Sequence, residues 1–255
     1  MIIQRIILML NNIFQKIIVI IKHPRPHQKI SEGFKNRINR IKGYTWCIGK
    51  SITTKKAIEI VTGYSEYISF YKKFEDEIKK AQKRVEQCPV KMGGAGNLEL
   101  IYQLCEHIQA KKIIETGVAY GWSSLAFLLS MHGREGAFLV STDLPYSKKT
   151  ATYIGLVVPQ NLRQNWKLIK KPDREALPEA LKILPEIDMC HYDSDKTYEG
   201  RMFAYPLLWN ALRKNGIFIS DDISDNLAFK EFAEQIGVNP IVVKWGKKYN
   251  GVLIK

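Results

Sequence analysis

Lys111–Trp122 reads KKIIETGVAYGW, a β-branched apolar run that closes on an acid and then breaks into glycines. Ile113 and Ile114 lead into Glu115. Gly117 and Gly121 bracket a turn that opens into Ser123–Met131, whose apolar content predicts a packed helix. The order is strand, tight turn, helix. Glycines at such a turn let backbone and ligand approach closely, and the turn N–H groups and helix N-terminus attract an anionic group. A carboxylate at the strand end can grip ribose hydroxyls. Glu115, Gly117, Tyr120 and Gly121 are therefore candidates for holding a nucleoside, the alternative being a plain βα connection.

Gly136–Asp143, GAFLVSTD, is a second buried-strand pattern, at the distance from the first that a right-handed βαβ crossover requires. It delivers Asp143 to the same carboxyl edge as Glu115. The dinucleotide fingerprint G-x-G-x-x-G is absent, because Val118 and Ala119 separate Gly117 from Tyr120-Gly121. Further along, the pattern predicts a helix near Ser147–Leu156, strands at Trp166–Lys170, Ile187–Asp193 and Ile217–Ser220, and helices at Tyr198–Lys214 and Asn226–Ile236. Pro240–Trp245 and Tyr249–Ile254 read as a terminal antiparallel pair. Alternation of strand and helix predicts a doubly wound, Rossmann-like α/β sheet, mostly parallel, closed by a C-terminal hairpin.

Ligands of such sheets bind outside the carboxyl ends of the strands. Asp193 ends one predicted strand, Asp195 follows it, and Asp221 and Asp222 end the next. Strands lie about 4.8 Å apart, so these carboxylates converge. Two like charges 4 Å apart at an effective dielectric near 20 repel by about 4 kcal/mol. A divalent cation held by Asp193, Asp221 and Asp222 offsets that directly, and oxygen ligands favour Mg²⁺ over zinc. A shared proton, an ion pair to Lys196 or helix capping are the alternatives.

These residues carry a resemblance. Glu115 with its glycines and Asp143 resemble the S-adenosylmethionine (SAM) site of class I methyltransferases over roughly Gly93 to Lys255. Tyr192–Gly200, YDSDKTYEG, resembles the D-G-D-H-S-Y-E-G element of the macrocin-type sugar O-methyltransferases, with Ser194 and Lys196 in place of glycine and histidine. Its D-x-D-K part is similar to catechol and caffeoyl-CoA O-methyltransferases. The resemblance implies SAM as cofactor, Mg²⁺ on Asp193, Asp221 and Asp222, and O-methylation of a sugar, glycan or other small-molecule hydroxyl. Lys196 is a candidate base if its pKa is depressed, or it stays charged beside Asp195. His191 is an alternative base or a core histidine. Asp173 matches an adenine-contacting position, and N-capping is the competing and preferred role. Metal-free N- or protein methylation and a noncatalytic SAM-binding scaffold are the other readings.

The 255 residues carry a net charge of +14, unevenly placed. Residues 1–91 hold 19 Lys+Arg against 7 Asp+Glu, and the remainder 20 against 18. Residues 1–22 predict an amphipathic helix suited to a membrane interface or a protein partner, residues 23–91 a basic helical lead-in, and residues 92–255 the ligand-binding domain. The asymmetry makes an anionic membrane surface a candidate partner for residues 1–56. Nothing there has the spacing of a nucleic-acid module. The four separated cysteines suggest neither zinc site nor disulfide framework and fit a reducing, cytoplasmic setting, while the basic N-terminal third makes a peripheral position on the inner face of the membrane an option. A homo-oligomer is compatible with the pattern.

Overall fold

Helix α1 (His27–Lys50) leads into a two-residue strand, β1 (Ile52–Thr53), and helices α2 (Thr54–Thr62), α3 (Phe70–Lys73), α4 (Glu75–Glu86) and α5 (Leu98–His107). The computed structural model describes residues 27–255, with side chains from Asn36 onward. Strand and helix then alternate: β2 (Lys112–Thr116), α6 (Trp122–Met131), β3 (Phe138–Thr142), α7 (Lys148–Ala151), β4 (Trp166–Ile169), α8 (Asp173–Ile183), β5 (Ile187–Tyr192) and α9 (Tyr198–Ala211). The chain ends with β6 (Leu212–Ser220), α10 (Ala228–Gln235), β7 (Ile241–Trp245) and β8 (Lys248–Ile254).

The eight strands form one sheet in the order β1-β7-β8-β6-β5-β2-β3-β4. β8 runs antiparallel to both β6 and β7, and the other pairs are parallel. Strand order reverses between β2 and β5, which places the switch point of this α/β sheet there. Alternation along the strands sorts the core into two layers. Ile113, Leu139, Met189 and Ile217 pack with α5 and α6 on one face. Ile114, Val140, Cys190 and Phe218 pack with α8, α9 and α10 on the other.

The helical lead-in expected over residues 23–91 is broken at Gly63, which adopts a left-handed φ of 77° and returns its N–H to the Glu59 carbonyl, ending α2. The lead-in also contributes β1, paired with β7, a strand too short to show a period in the sequence. Ala57, Ile58, Phe70 and Ala81 share a core with Leu98 and Leu125, so residues on either side of the expected boundary at 91–92 pack together. The helix expected at Ser147–Leu156 covers only Lys148–Ala151, and β6 begins at Leu212 across a register shift opposite Ile187–Met189. The amphipathic helix expected at Met1–Lys22 lies outside the described residues.

Candidate active site

One row of residues lies just past the ends of four strands. Gly117 N–H donates to the Thr142 carbonyl, Asp143 N–H to Ile169, Asp193 N–H to Thr116 and Asp221 N–H to Tyr192. The ladder register therefore extends one residue beyond β2, β3, β5 and β6, bringing one glycine and three acids from distant sequence onto one edge. Above this edge is a cleft of about 740 Å³, lined among others by Gly93, Gly117, Asp143, Asp173, Asp193 and Lys196.

Glu115 does not face that cleft, contrary to its expected nucleoside-binding role. It pairs with Ser141 on β3 and His191 on β5, so it belongs to a deeper row. Its carboxylate is fully buried and accepts from Ser124 Oγ (2.5 Å) and Ser141 Oγ (2.7 Å). His191 Nδ1 is 3.9 Å from Glu115 Oε1, and His191 Nε2 is 3.4 Å from Asp221 Oδ1. Burial opposes a charged imidazole here, but Asp221 and Glu115 prevail and raise the His191 pKa to about 10. The imidazolium thus joins two buried carboxylates.

A pH dependence of stability follows. Between the ordinary histidine value of 6.5 and about 10 the folded chain holds a proton that the unfolded chain has released. The stabilisation is complete below the lower value and is lost as pH rises through the upper one, at about 1.4 kcal/mol per pH unit for one proton. Tm is expected to fall between pH 7 and 10 in the wild type, and less steeply in His191→Gln. Parallel declines would assign the effect to other groups.

Asp143 sits at the cleft with one oxygen committed and one available. Oδ2 accepts from Val118 N–H (2.7 Å) and Ala119 N–H (2.8 Å), fixing the turn after β2. Among the described residues Oδ1 takes no hydrogen bond. Gly117 lines the cleft at φ 79°, and a Cβ there would run into the Asp193 carbonyl, so a strand neighbour as well as any ligand requires glycine. Gly121 caps α6 and lies against Gly155 Cα, where a Cβ would approach to 2.9 Å; it is outside the cleft lining. Tyr120 is also outside it: its hydroxyl donates to the Val90 carbonyl (2.6 Å) and accepts from Met92 N–H (3.2 Å). Its part is to pin the start of the Met92–Asn97 loop, whose Gly93, Gly94 and Gly96 line the cleft. Met92 is the one side chain this loop adds to that wall beside the three glycines.

Lys196 lies among the acids. Its Nζ is 2.9 Å from Asp193 Oδ1 and also bonds Asp222 Oδ2, which Lys248 Nζ approaches to 3.1 Å. Burial works against the Lys196 charge, but Asp193 and Asp222 outweigh it and raise its pKa. That corrects the expectation of a depressed lysine base, and its partners are Asp193 and Asp222 rather than Asp195. Asp193 itself is raised to about 6, first by burial and then by Asp221, against the pull of Lys196. Asp222 is held below the usual carboxylate range: burial opposes ionisation, and Lys196 and Lys248 override it. Asp221 Oδ1 accepts from Asn250 Nδ2.

The expected Mg²⁺ set is not assembled in this arrangement. Asp193 and Asp221 line the cleft, but Asp222 does not and is turned to the two lysines. Among the described residues no three acidic, histidine or cysteine side chains converge on one point. Repulsion between the carboxylates is instead offset by Lys196, Lys248 and His191.

Residues 114–223 match a family described as a methyltransferase domain. A cofactor-bound structure of Rv0187 from MTB superposes with a TM-score of 0.60 at 12% identity, covering 70% of this chain and 89% of that one. The O-methyltransferase from Bacillus cereus in complex with SAH gives 0.55 at 13%, covering 78% and 97%. TomG, an O-methyltransferase from Streptomyces achromogenes involved in tomaymycin synthesis and solved with SAM, gives 0.53 at 14%, covering 71% and 90%. The fold is that of a class I methyltransferase. No curated protein matches the sequence.

Within this methyltransferase fold, the two departures from the D-G-D-H-S-Y-E-G spelling have structural partners. Lys196 bridges two acids, as above. Ser194 Oγ donates to Asp173 Oδ2 (2.5 Å) and lies 2.9 Å from Thr116 Oγ1, tying the loop after β5 to α8 and β2. Asp173 lines the cleft but is not the expected N-cap: Pro172 occupies that position and no side chain caps the helix. Burial raises the Asp173 pKa despite its hydrogen bonds. Asp195 accepts from Thr197 N–H (2.9 Å) and packs on Gly200, where a Cβ would strike its carboxyl group. Sequence reading missed Arg201, fully buried in α9, which donates to the Asp221 (3.2 Å) and Asp222 (2.9 Å) carbonyls. It also missed Asn250 and Lys248, whose strand lies far along the chain and shows no motif.

Proposed function

We propose that this chain methylates a hydroxyl oxygen of a small-molecule or glycan acceptor using SAM. The supporting observation is the cleft itself, with an available Asp143 oxygen beside a glycine-lined wall and Asp193 and Lys196 at the same strand-end edge. Two of the similar folds belong to O-methyltransferases, one solved with SAH and one with SAM. SAM supplies a methyl group on a sulfonium sulfur.

In this reading Asp143 Oδ1 accepts from ribose hydroxyls, while Oδ2 keeps the Val118–Ala119 turn in place. Asp173 stands near the adenine. With the acceptor hydroxyl against Asp193, that carboxylate would take the hydroxyl proton, and SAM, when bound, would supply the methyl group to the oxygen and leave as the neutral thioether. A carboxyl with a pKa of about 6 is matched to general-base work near neutral pH. Lys196 stays protonated and holds Asp193 ionised and in position.

A second reading keeps the metal: Asp193 and Asp221 both line the cleft, and Mg²⁺ would replace the Lys196 charge between them if Lys196 swings aside. Calorimetric titration of SAM, followed by transfer assays on sugar and catechol-type hydroxyls with and without EDTA, tests both. The expected result is SAM binding and methyl transfer that survives EDTA. Loss of transfer restored by Mg²⁺ would select the second reading, and failure to bind SAM would overturn both.

A further inference from the structure

Residues 33–58 contain seven lysines and arginines and no acid between Glu32 and Glu59. Helix α1 displays part of this charge beside an apolar stripe. At 100° per residue, Arg37, Ile41, Tyr44 and Ile48 fall within one narrow arc, with Arg40 at its margin. All five are exposed; Ile41, Tyr44 and Ile48 retain 47%, 48% and 55% of their surface. Gly43 and Cys47, on another side of the helix, are buried. Scattered exposed apolar residues are ordinary, but three in line on one helix, flanked by arginines and lacking any acid, match an interface-lying helix.

We infer that this face of α1 docks on an anionic lipid surface, with Ile41, Tyr44 and Ile48 entering the headgroup boundary and Arg37 and Arg40 meeting lipid phosphates. Charge complementarity selects this occupant over a protein groove: each basic residue near an anionic leaflet adds attraction, and the face carries no acid to oppose it. Among the described residues no helix is long and apolar enough to cross a membrane. The buried side of the same helix packs on a loop beside the cleft. A Cβ on Gly43 would meet the Asn226 carbonyl at 2.6 Å and the Ser224 carbonyl at 3.0 Å, so α1 lies directly on this loop. Asn226 Nδ2 in turn donates to the Lys196 carbonyl (2.9 Å). The docking helix is thus linked through Asn226 to the Lys196 side of the cleft.

The test is flotation of the full chain with vesicles of phosphatidylcholine alone or with 30% phosphatidylglycerol by design, alongside Ile41→Ser/Ile48→Ser and Arg37→Glu/Arg40→Glu variants. The altered side chains are exposed, so thermal melts are expected to stay near wild type. The wild type is expected to float only with the anionic vesicles, and each double variant to bind roughly tenfold more weakly or worse. Wild-type flotation unchanged in both variants would overturn the inference by assigning binding to another part of the chain. So would absence of flotation together with a wild-type dimer that the Ile41→Ser/Ile48→Ser variant splits in light scattering, which would make the face a contact between copies.

Discussion

Asp143→Ala is expected to weaken SAM binding by about 10²-fold or more while leaving the fold intact. The carboxylate does two jobs at once. Its Oδ2 holds the Val118 and Ala119 N–H groups at 2.7 and 2.8 Å, and its Oδ1 is the acceptor offered to a ribose diol. Hydrogen bonds to a charged group contribute about 1.5–3 kcal/mol each, and alanine removes the ligand-facing ones together with the anchor of the turn. Asp143→Asn keeps an acceptor oxygen for the turn but replaces the charge, so its expected loss is smaller, about tenfold. Calorimetry with SAM on both variants, paired with thermal melts, checks this. Equal affinity for wild type and Asp143→Ala would remove Asp143 from the site.

The place of Asp143 at the strand-end cleft was legible in the sequence because its evidence is local: an apolar strand, an acid at its end, and a crossover of ordinary length. The same holds for the sheet as a whole, whose parallel strands announce themselves as apolar runs ended by turn residues. Glu115 shows where local evidence stops. The sequence run looks as though it ends on the acid, but β2 continues through Thr116, and the ladder with Ser141 and His191 puts Glu115 one row beneath the cleft. A shift of one or two residues at a strand end is invisible to periodicity and decides whether a carboxylate meets ligand or core. Tyr120 and Gly121 went the same way: their spacing is that of a ligand turn, and their work is to pin the Met92–Asn97 loop and to let Gly155 approach.

The carboxylate cluster was legible as a cluster and not as a circuit. Convergence of Asp193, Asp221 and Asp222 follows from adjacent strands, and so does the need for a balancing cation. Which cation answers depends on groups that arrive from elsewhere. Lys248 and Asn250 come from β8, and His191 comes from within β5, where it reads as one more buried residue. Arg201 adds a fourth positive group beneath the loop, bonded to its carbonyls rather than to an acid. Four cationic side chains thus surround the acids, and the sequence spacing identifies only Lys196.

Lys196→Met is the substitution that separates a base from a positioning charge. At neutral pH Lys196 is protonated, held so by Asp193 and Asp222, and it cannot accept a proton from the acceptor. Its loss leaves Asp193 facing Asp221 without the ammonium that lowers the Asp193 pKa. Methyl transfer is expected to fall by about 10²–10⁴-fold, the range typical of impaired general acid–base catalysis, with SAM affinity little changed because Asp143 is untouched. The pH–rate profile supplies the decisive readout. In the wild type the acidic limb is expected near pH 6, where Asp193 ionises. Without Lys196 burial and Asp221 act unopposed by its charge, so the limb moves to higher pH and part of the lost rate returns as pH rises. A base at Lys196 predicts the opposite pattern: loss of rate at every pH with the acidic limb abolished rather than displaced.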